Sequence, residues 1–131
     1  MKQGFRVGDV RVHTYQVTKD DFATFQSGTV HQVCSTFVLA REMEWSSRLF
    51  VLEMKEEHEE GVGTALEIKH HAPAFLGDTL QLSATIHSLS GNELICDIEV
   101  KVDDSLVASG KTGQKILNKE KVRQIFTRLN G

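Results

Sequence analysis

Two consecutive stretches decide the fold: Phe37–Met54, reading FVLAREMEWSSRLFVLEM, and, past Gly61, Val62–His70, reading VGTALEIKH. In the first, Leu39, Met43, Ser46/Ser47, Phe50 and Met54 recur near helical spacing on one face. Val38, Trp45, Leu49 and Leu52 fall partly off that stripe, so the pattern predicts one long helix buried on more than one side. In the second stretch the period drops to two. Leu66, Ile68 and His70 alternate with Glu67, Lys69 and His71, which predicts a strand with His70 on its apolar face and His71 on the other.

Downstream, Leu80, Leu82, Ala84 and Ile86 alternate with Gln81, Ser83, Thr85 and His87, and Ser90-Gly91-Asn92 supplies a turn. Leu94, Cys96, Ile98, Val100 and Val102 mark the next strand, and Asp103-Asp104-Ser105 turns it into a fourth that runs to about Leu117. Asn118 then caps a helix whose stripe is Val122, Ile125, Phe126 and Leu129, closing on Asn130-Gly131. Upstream, Val10–Val17 reads as a first strand. Thr18-Lys19-Asp20-Asp21 reads as the acidic start of a short helix that buries Phe22 and Phe25 on one side. One long helix followed by four strands on short turns is an α+β pattern with an antiparallel sheet. A curved sheet with one apolar face buries such a helix, which is the hotdog arrangement.

The 131 residues suit one domain, 1–131, with room for a real core but not for a second unit. A hydrophobic fraction of 40%, a charged fraction of 25% and a single proline predict folded structure nearly end to end. The net charge of −3, with no Lys/Arg-dense run, argues against nucleic acid as a partner. The apolar runs are short and the start, MKQGFRVGDV, lacks the apolar core of a signal peptide, so we expect a cytoplasmic protein without membrane spans. Cys34 and Cys96, placed in a loop or helix start and in a strand, have no metal-type spacing and read as reduced thiols.

Val33-Cys34-Ser35-Thr36 with Met43-Glu44 resembles the S-T-P … M-E stretch of the fluoroacetyl-CoA thioesterase-like branch of hotdog thioesterases. Val62-Gly63-Thr64, then Ile68-Lys69-His70 and Gly77, resembles that branch's V-G-T-x-V-x-V-x-H … G run, and the likeness extends over roughly Val7 to Leu117. It implies an acyl-CoA thioesterase whose catalytic set is Thr36, Glu44 and His70; Gly63, where the lack of a side chain lets a ligand approach the backbone, Thr64 and Phe37 are candidates to bind the substrate. Adjacent strand histidines point apart and no Cys/His/Asp cluster has zinc spacing, so we expect no metal, and no cofactor, CoA being part of the substrate. Phe37 stands where the branch has proline, His71 where it has an apolar residue, and Gly110-Lys111-Thr112-Gly113-Gln114 where a histidine and an arginine are usual.

Each residue also has a plain structural reading. Thr36 before an apolar helical run is a natural N-cap. Glu44 lies three residues after Arg41 and four before Arg48, the spacing of a solvated helical ion pair. His70 fits a core histidine with a satisfied hydrogen bond. Cys34 has nothing nearby in sequence to lower its pKa and reads as a packed residue, not a nucleophile. His13, His31, His58 and His87 have no evident partner. If Thr36 is helical, the eight residues to Glu44 rise about 12 Å, too far for a direct hydrogen bond. Thr36, Glu44 and His70 together suit thioester hydrolysis: a carboxylate and an imidazole to move protons, and a hydroxyl to attack or to position water. Two rivals are an enoyl-CoA hydratase, for which the closely spaced Asp/His pair is missing, and a module that binds acyl-CoA without turnover. Exposed sheet edges on so small a domain predict a homodimer with the acyl pocket at its interface, where Phe37, Trp45 and Phe75 are candidates to line it.

Overall fold

The computed structural model describes residues 1–25 and 28–130. Seven strands and two helices occur in the order β1 (Val10–Gln16), β2 (Phe22–Phe25), β3 (Gly28–Cys34), α1 (Thr36–Met54), β4 (Glu59–His70), β5 (Thr79–Ser90), β6 (Glu93–Val102), β7 (Ser105–Asn118) and α2 (Lys119–Asn130). Five strands form one antiparallel sheet in the order β1-β5-β6-β7-β4. β2 and β3 form a separate hairpin.

The alternating apolar residues make one face of this sheet continuous. Leu80, Leu82, Ala84 and Ile86 of β5, Leu94, Cys96, Ile98 and Val100 of β6, and Ala108 and Ile116 of β7 are all buried. Against them lies the stripe of α1, with Leu39, Met43, Phe50, Val51 and Met54 fully buried, and the helix touches every strand of the sheet. Ser35 caps α1 by accepting the Val38 N–H at 3.1 Å, and Lys55 ends it in extended backbone. Of the four residues off that stripe, Val38 is buried and Leu49 half-buried, whereas Trp45 and Leu52 are exposed, so the burial expected on more than one side is only partly met within one chain.

The first turn of the chain departs from expectation. Thr18 does start a helical turn, yet only Lys19–Asp21 adopts it, as a 3₁₀ turn closed by the Asp21 carboxylate on the Thr18 N–H and hydroxyl. Phe22 and Phe25 belong to β2 and not to a helix, and Cys34 ends β3 instead of lying in a loop. β-branched and aromatic residues on both sides of Gly28 outweigh a single capping signal. Asn118 caps α2 as predicted, its side-chain oxygen accepting the Glu120 N–H at 2.8 Å.

β4 begins at Glu59, earlier than expected, and its first half presses on α1. A Cβ added at Gly61 would lie 2.4 Å from the Val51 Cγ1, a stiff branched side chain in the core. We expect Gly61→Ala to destabilise the fold by roughly 1–3 kcal/mol through overpacking, read as a lower urea midpoint with an unchanged denaturant slope.

Candidate active site

Cap geometry explains why the Thr36 hydroxyl is available. Ser35 takes the N-cap role, so Thr36 is the first helical residue and its side chain is free of the helix backbone. It points across to the end of β4, where Thr36 Oγ1 and His70 Nδ1 form a hydrogen bond of 3.1 Å. The reading of Thr36 as cap is thereby corrected by one residue. With Thr36 inside the helix, it makes no contact with Glu44, as the 12 Å of helical rise requires, to within about a turn.

His70 reaches Thr36 because of a bulge. Gly63 pairs with Gln114 and Ala65 with Gly113, leaving Thr64 as an extra residue in β4. Before the bulge Gly61 and Gly63 face α1; after it Leu66, Ile68 and His70 do, opposite Thr112, Gly110 and Ala108. Positions 63 and 70 differ by an odd number, so an unbroken strand would put them on opposite faces. His71 points the other way, to Ser109 Oγ at 2.7 Å. Because β4 is an edge strand, His70 and Leu66 remain exposed on a face that further into the sheet is core.

Glu44 is exposed, but it is not half of a helical ion pair. Arg41 Nε donates to Glu42 Oε2 at 2.8 Å, and Arg48 donates to Glu60 Oε1 at 3.0 Å. The Glu44 carboxylate instead lies over Gly63: a Cβ there would sit 2.6 Å from Glu44 Oε1. The turn of α1 that carries it is tied to the sheet, since Ser47 Oγ donates to Glu44 O at 2.9 Å and accepts from Gln114 Nε2 at 2.8 Å. Gln114 is in turn the register partner of Gly63, so helix, β7 and β4 form a closed loop around the carboxylate.

Two cavities open beside these groups. One of about 260 Å³ is lined by Thr36, Phe37, Ala40, Leu66 and Ile68. The other, about 420 Å³, is lined by His13, Arg41, Glu42, Glu44, Trp45 and Arg48. Thr36 and Glu44 thus face neighbouring cavities along α1, and Phe75 lines neither.

A polar cluster absent from the sequence reading lies under the second cavity. His13 Nε2 and Glu42 Oε1 are 2.9 Å apart, Glu42 is buried, and Arg41 bridges Glu42 and Asp21. The Tyr15 hydroxyl donates to the buried Asp21 carboxylate at 2.8 Å; burial, then that contact, raises the phenol pKa. The hydrogen bond to Glu42 raises that of Arg41 by stabilising the guanidinium, against the lowering effect of burial. The signal for Glu42 was present: it follows Leu39 by three and precedes Ser46 by four, so it lies on the buried stripe. His87, also left without a partner, bonds Asp97, which Lys111 and His87 hold below the usual carboxylate range.

Among the described residues no group of His, Cys, Asp or Glu is arranged to hold a metal ion, and no helix is long and apolar enough to cross a membrane. A long helix wrapped by a five-stranded antiparallel sheet is the hotdog arrangement, and the match to a thioesterase family makes the chain a hotdog-fold thioester hydrolase. The chain belongs to the fluoroacetyl-CoA-specific thioesterase family, whose pattern residues 17–120 match.

A thioesterase superfamily member from Thermus thermophilus is 31% identical, superposes with a TM-score of 0.93, and the match covers 98% of this chain and 96% of that one. A variant of the fluoroacetyl-CoA-specific thioesterase FlK, solved with fluoroacetate and CoA, is 22% identical with a TM-score of 0.82, covering 90% and 99% of the two chains. Another FlK variant, solved with acetyl-CoA, is 20% identical with a TM-score of 0.86, covering 97% and 100%. No functionally curated protein matches the sequence at a significant level.

The cysteines take no part in this geometry. Both are free and buried, and burial, followed for Cys34 by the nearby Asp21 charge, pushes each thiol up to about 12. At pH 8 neither thiol is ionised to any useful extent, so the folded protein should take up no iodoacetamide over an hour. Alkylation at both positions is expected only in denaturant, read by intact mass.

Proposed function

We propose that the protein hydrolyses an acyl-CoA thioester to a carboxylic acid and free CoA with Thr36, Glu44 and His70 as its catalytic residues. The observation that carries this reading is the 3.1 Å contact between the Thr36 hydroxyl and His70 Nδ1 at the rim of an apolar cavity. A hydroxyl paired with an imidazole is the arrangement of an activated nucleophile. As Thr36 Oγ1 bonds to the thioester carbonyl, its proton passes to His70. Collapse of the tetrahedral intermediate breaks the C–S bond, and the proton on His70 goes to the departing thiolate. Water, oriented from the Glu44 side through a further water, then attacks the acyl-threonine and gives a proton to His70; the acyl C–O bond breaks, and His70 returns that proton to the departing Thr36 oxygen. In the alternative, Thr36 holds a water and His70 or Glu44 takes that water's proton directly; trapping an acyl-enzyme by mass spectrometry separates the two.

Free amides in the first turn of α1 suit the developing oxyanion, and Gly63, without a side chain, is assigned to close approach of the substrate. Gly63 has a second role that follows from its contact: only a residue without Cβ lets the Glu44 carboxylate lie on β4. Phe37 and Thr64 are assigned to the substrate, Phe37 as a wall of the apolar cavity and Thr64 at the bulge beside Gly63. No metal or cofactor enters any step.

Thr36→Ala, Glu44→Ala and His70→Ala are each expected to lower kcat/KM for acyl-CoA hydrolysis by about 10²–10⁴, with the thermal midpoint near that of the wild type. Thiol release at the wild-type rate by all three would refute the assignment. Tight calorimetric binding of acyl-CoA without thiol release would favour the binding module, and loss of enoyl absorbance from crotonyl-CoA would favour the hydratase.

We also propose a homodimer, with the acyl cavity at its interface. β4 has one unpaired edge, and Phe37, Trp45, Leu52 and Leu66 leave large apolar surface exposed around α1 and β4. Light scattering at assay concentration should give twice the chain mass. The two buried thiols, left unpaired, suit the reducing cytoplasm, where we place the enzyme.

A further inference from the structure

From the cavity beside Thr36 we infer the acyl class: an apolar chain of medium length, about four to eight carbons, without hydroxyl or carboxylate substituents, and not a two-carbon acyl group such as acetyl or fluoroacetyl. The inference rests on the thioesterase reading and adds to it what the site accepts.

Its basis is the composition and size of the cavity. Apart from Thr36 itself, the walls are the phenyl of Phe37, the methyl of Ala40 and the branched chains of Leu66 and Ile68. No lining residue is charged, and none but Thr36 has a polar side chain. A hydroxyl or a carboxylate placed there would give up water for no donor or counter-charge, whereas methylenes would gain by leaving water. The volume is about 260 Å³. At about 30 Å³ for a group the size of a water molecule, a two-carbon acyl group would leave most of it unfilled.

Orientation supports the same occupant. Thr36 lies both in the cavity wall and in the contact with His70, so a carbonyl carbon brought to Oγ1 has its acyl chain directed along Phe37, Ala40, Leu66 and Ile68. The arginines do not line this apolar wall: Arg41 and Arg48 line the cavity that holds Glu44. The exposure of Phe37 and Leu66, 79% and 47%, is what an apolar chain laid between them would reduce.

Two features make the proposal specific to named side chains. Ala40 is small at the centre of the helical wall, so its substitution by a bulky residue shortens the space available. Leu66 stands on the opposite wall, so its truncation lengthens it.

The test is kcat/KM for acetyl-, fluoroacetyl-, butyryl-, hexanoyl-, octanoyl- and dodecanoyl-CoA with the wild-type protein, Ala40→Phe and Leu66→Ala, and calorimetric Kd values for the same set. Each buried methylene is worth roughly threefold to fourfold. Hexanoyl-CoA should therefore exceed acetyl-CoA at least tenfold, with the maximum between butyryl and octanoyl and a decline at dodecanoyl. Ala40→Phe should cut the hexanoyl-to-acetyl ratio at least tenfold, and Leu66→Ala should move the maximum to a longer chain. If Ala40→Phe fails to fold, the Leu66→Ala shift decides alone. A maximum at acetyl or fluoroacetyl, or a flat profile that neither variant changes, as when a second copy fills the cavity, overturns the inference while leaving the hydrolase reading intact. If no thioester is cleaved, that reading fails instead, and the chain-length dependence of Kd decides the acyl class.

Discussion

Burial of one stripe of α1 in the concave face of the sheet is the constraint on which everything else depends. Leu39, Met43, Phe50, Val51 and Met54 reach zero exposure against β5, β6 and β7, and this sets the helix's rotation about its own axis. With that angle set, Thr36 must emerge beside the end of β4 and Glu44 must come down over its middle. The buried Ser47–Gln114 hydrogen bond sharpens the angle, because a slip of the helix would strand two buried polar groups at a cost of about 1–3 kcal/mol each. The residues to which we assign the chemistry are therefore ones whose direction the core decides.

β4 completes the arrangement by breaking a rule of strands. A regular strand shows one face to the helix through every second residue, yet both Gly63 and His70 have to face it. The extra residue at Thr64 resolves the conflict, and the two glycines before it let the strand approach α1 closely enough for a carboxylate to lie on its backbone. After the bulge the strand carries Leu66, Ile68 and His70 past the helix start at the rim of the sheet, so one wall of the apolar cavity is strand and the other helix.

The α+β class, the long helix, the four strands after it and the inward face of His70 were legible because each is written in a repeating pattern of 3.6 or 2 residues. What was not legible lies where one residue decides between neighbours. Ser35 and Thr36 are both acceptable N-caps, and only the folded chain shows Ser35 taking that role and leaving the Thr36 hydroxyl to His70. Glu44 had two arginines at ion-pair spacing, but each was drawn to a different carboxylate, Glu42 and Glu60. Phe22 and Phe25 followed a good helix cap and became a strand because pairing with β3 is a non-local reward that a local signal does not reveal. The His13–Glu42 contact spans 29 positions, and no local pattern carries such a pair.

Thr36 and His70 sit on different elements and come from stretches that the fold alone brings together; the account stands on their acting as one unit. A double-mutant cycle on kcat/KM for acyl-CoA hydrolysis, with Thr36→Ala, His70→Ala and the double variant, tests this directly. If the imidazole works through the hydroxyl, the double variant should be no slower than the slower single variant, within a factor of about three. Losses that multiply, so that the double variant shows the product of the two single effects, would mean that the 3.1 Å contact has no part in the chemistry.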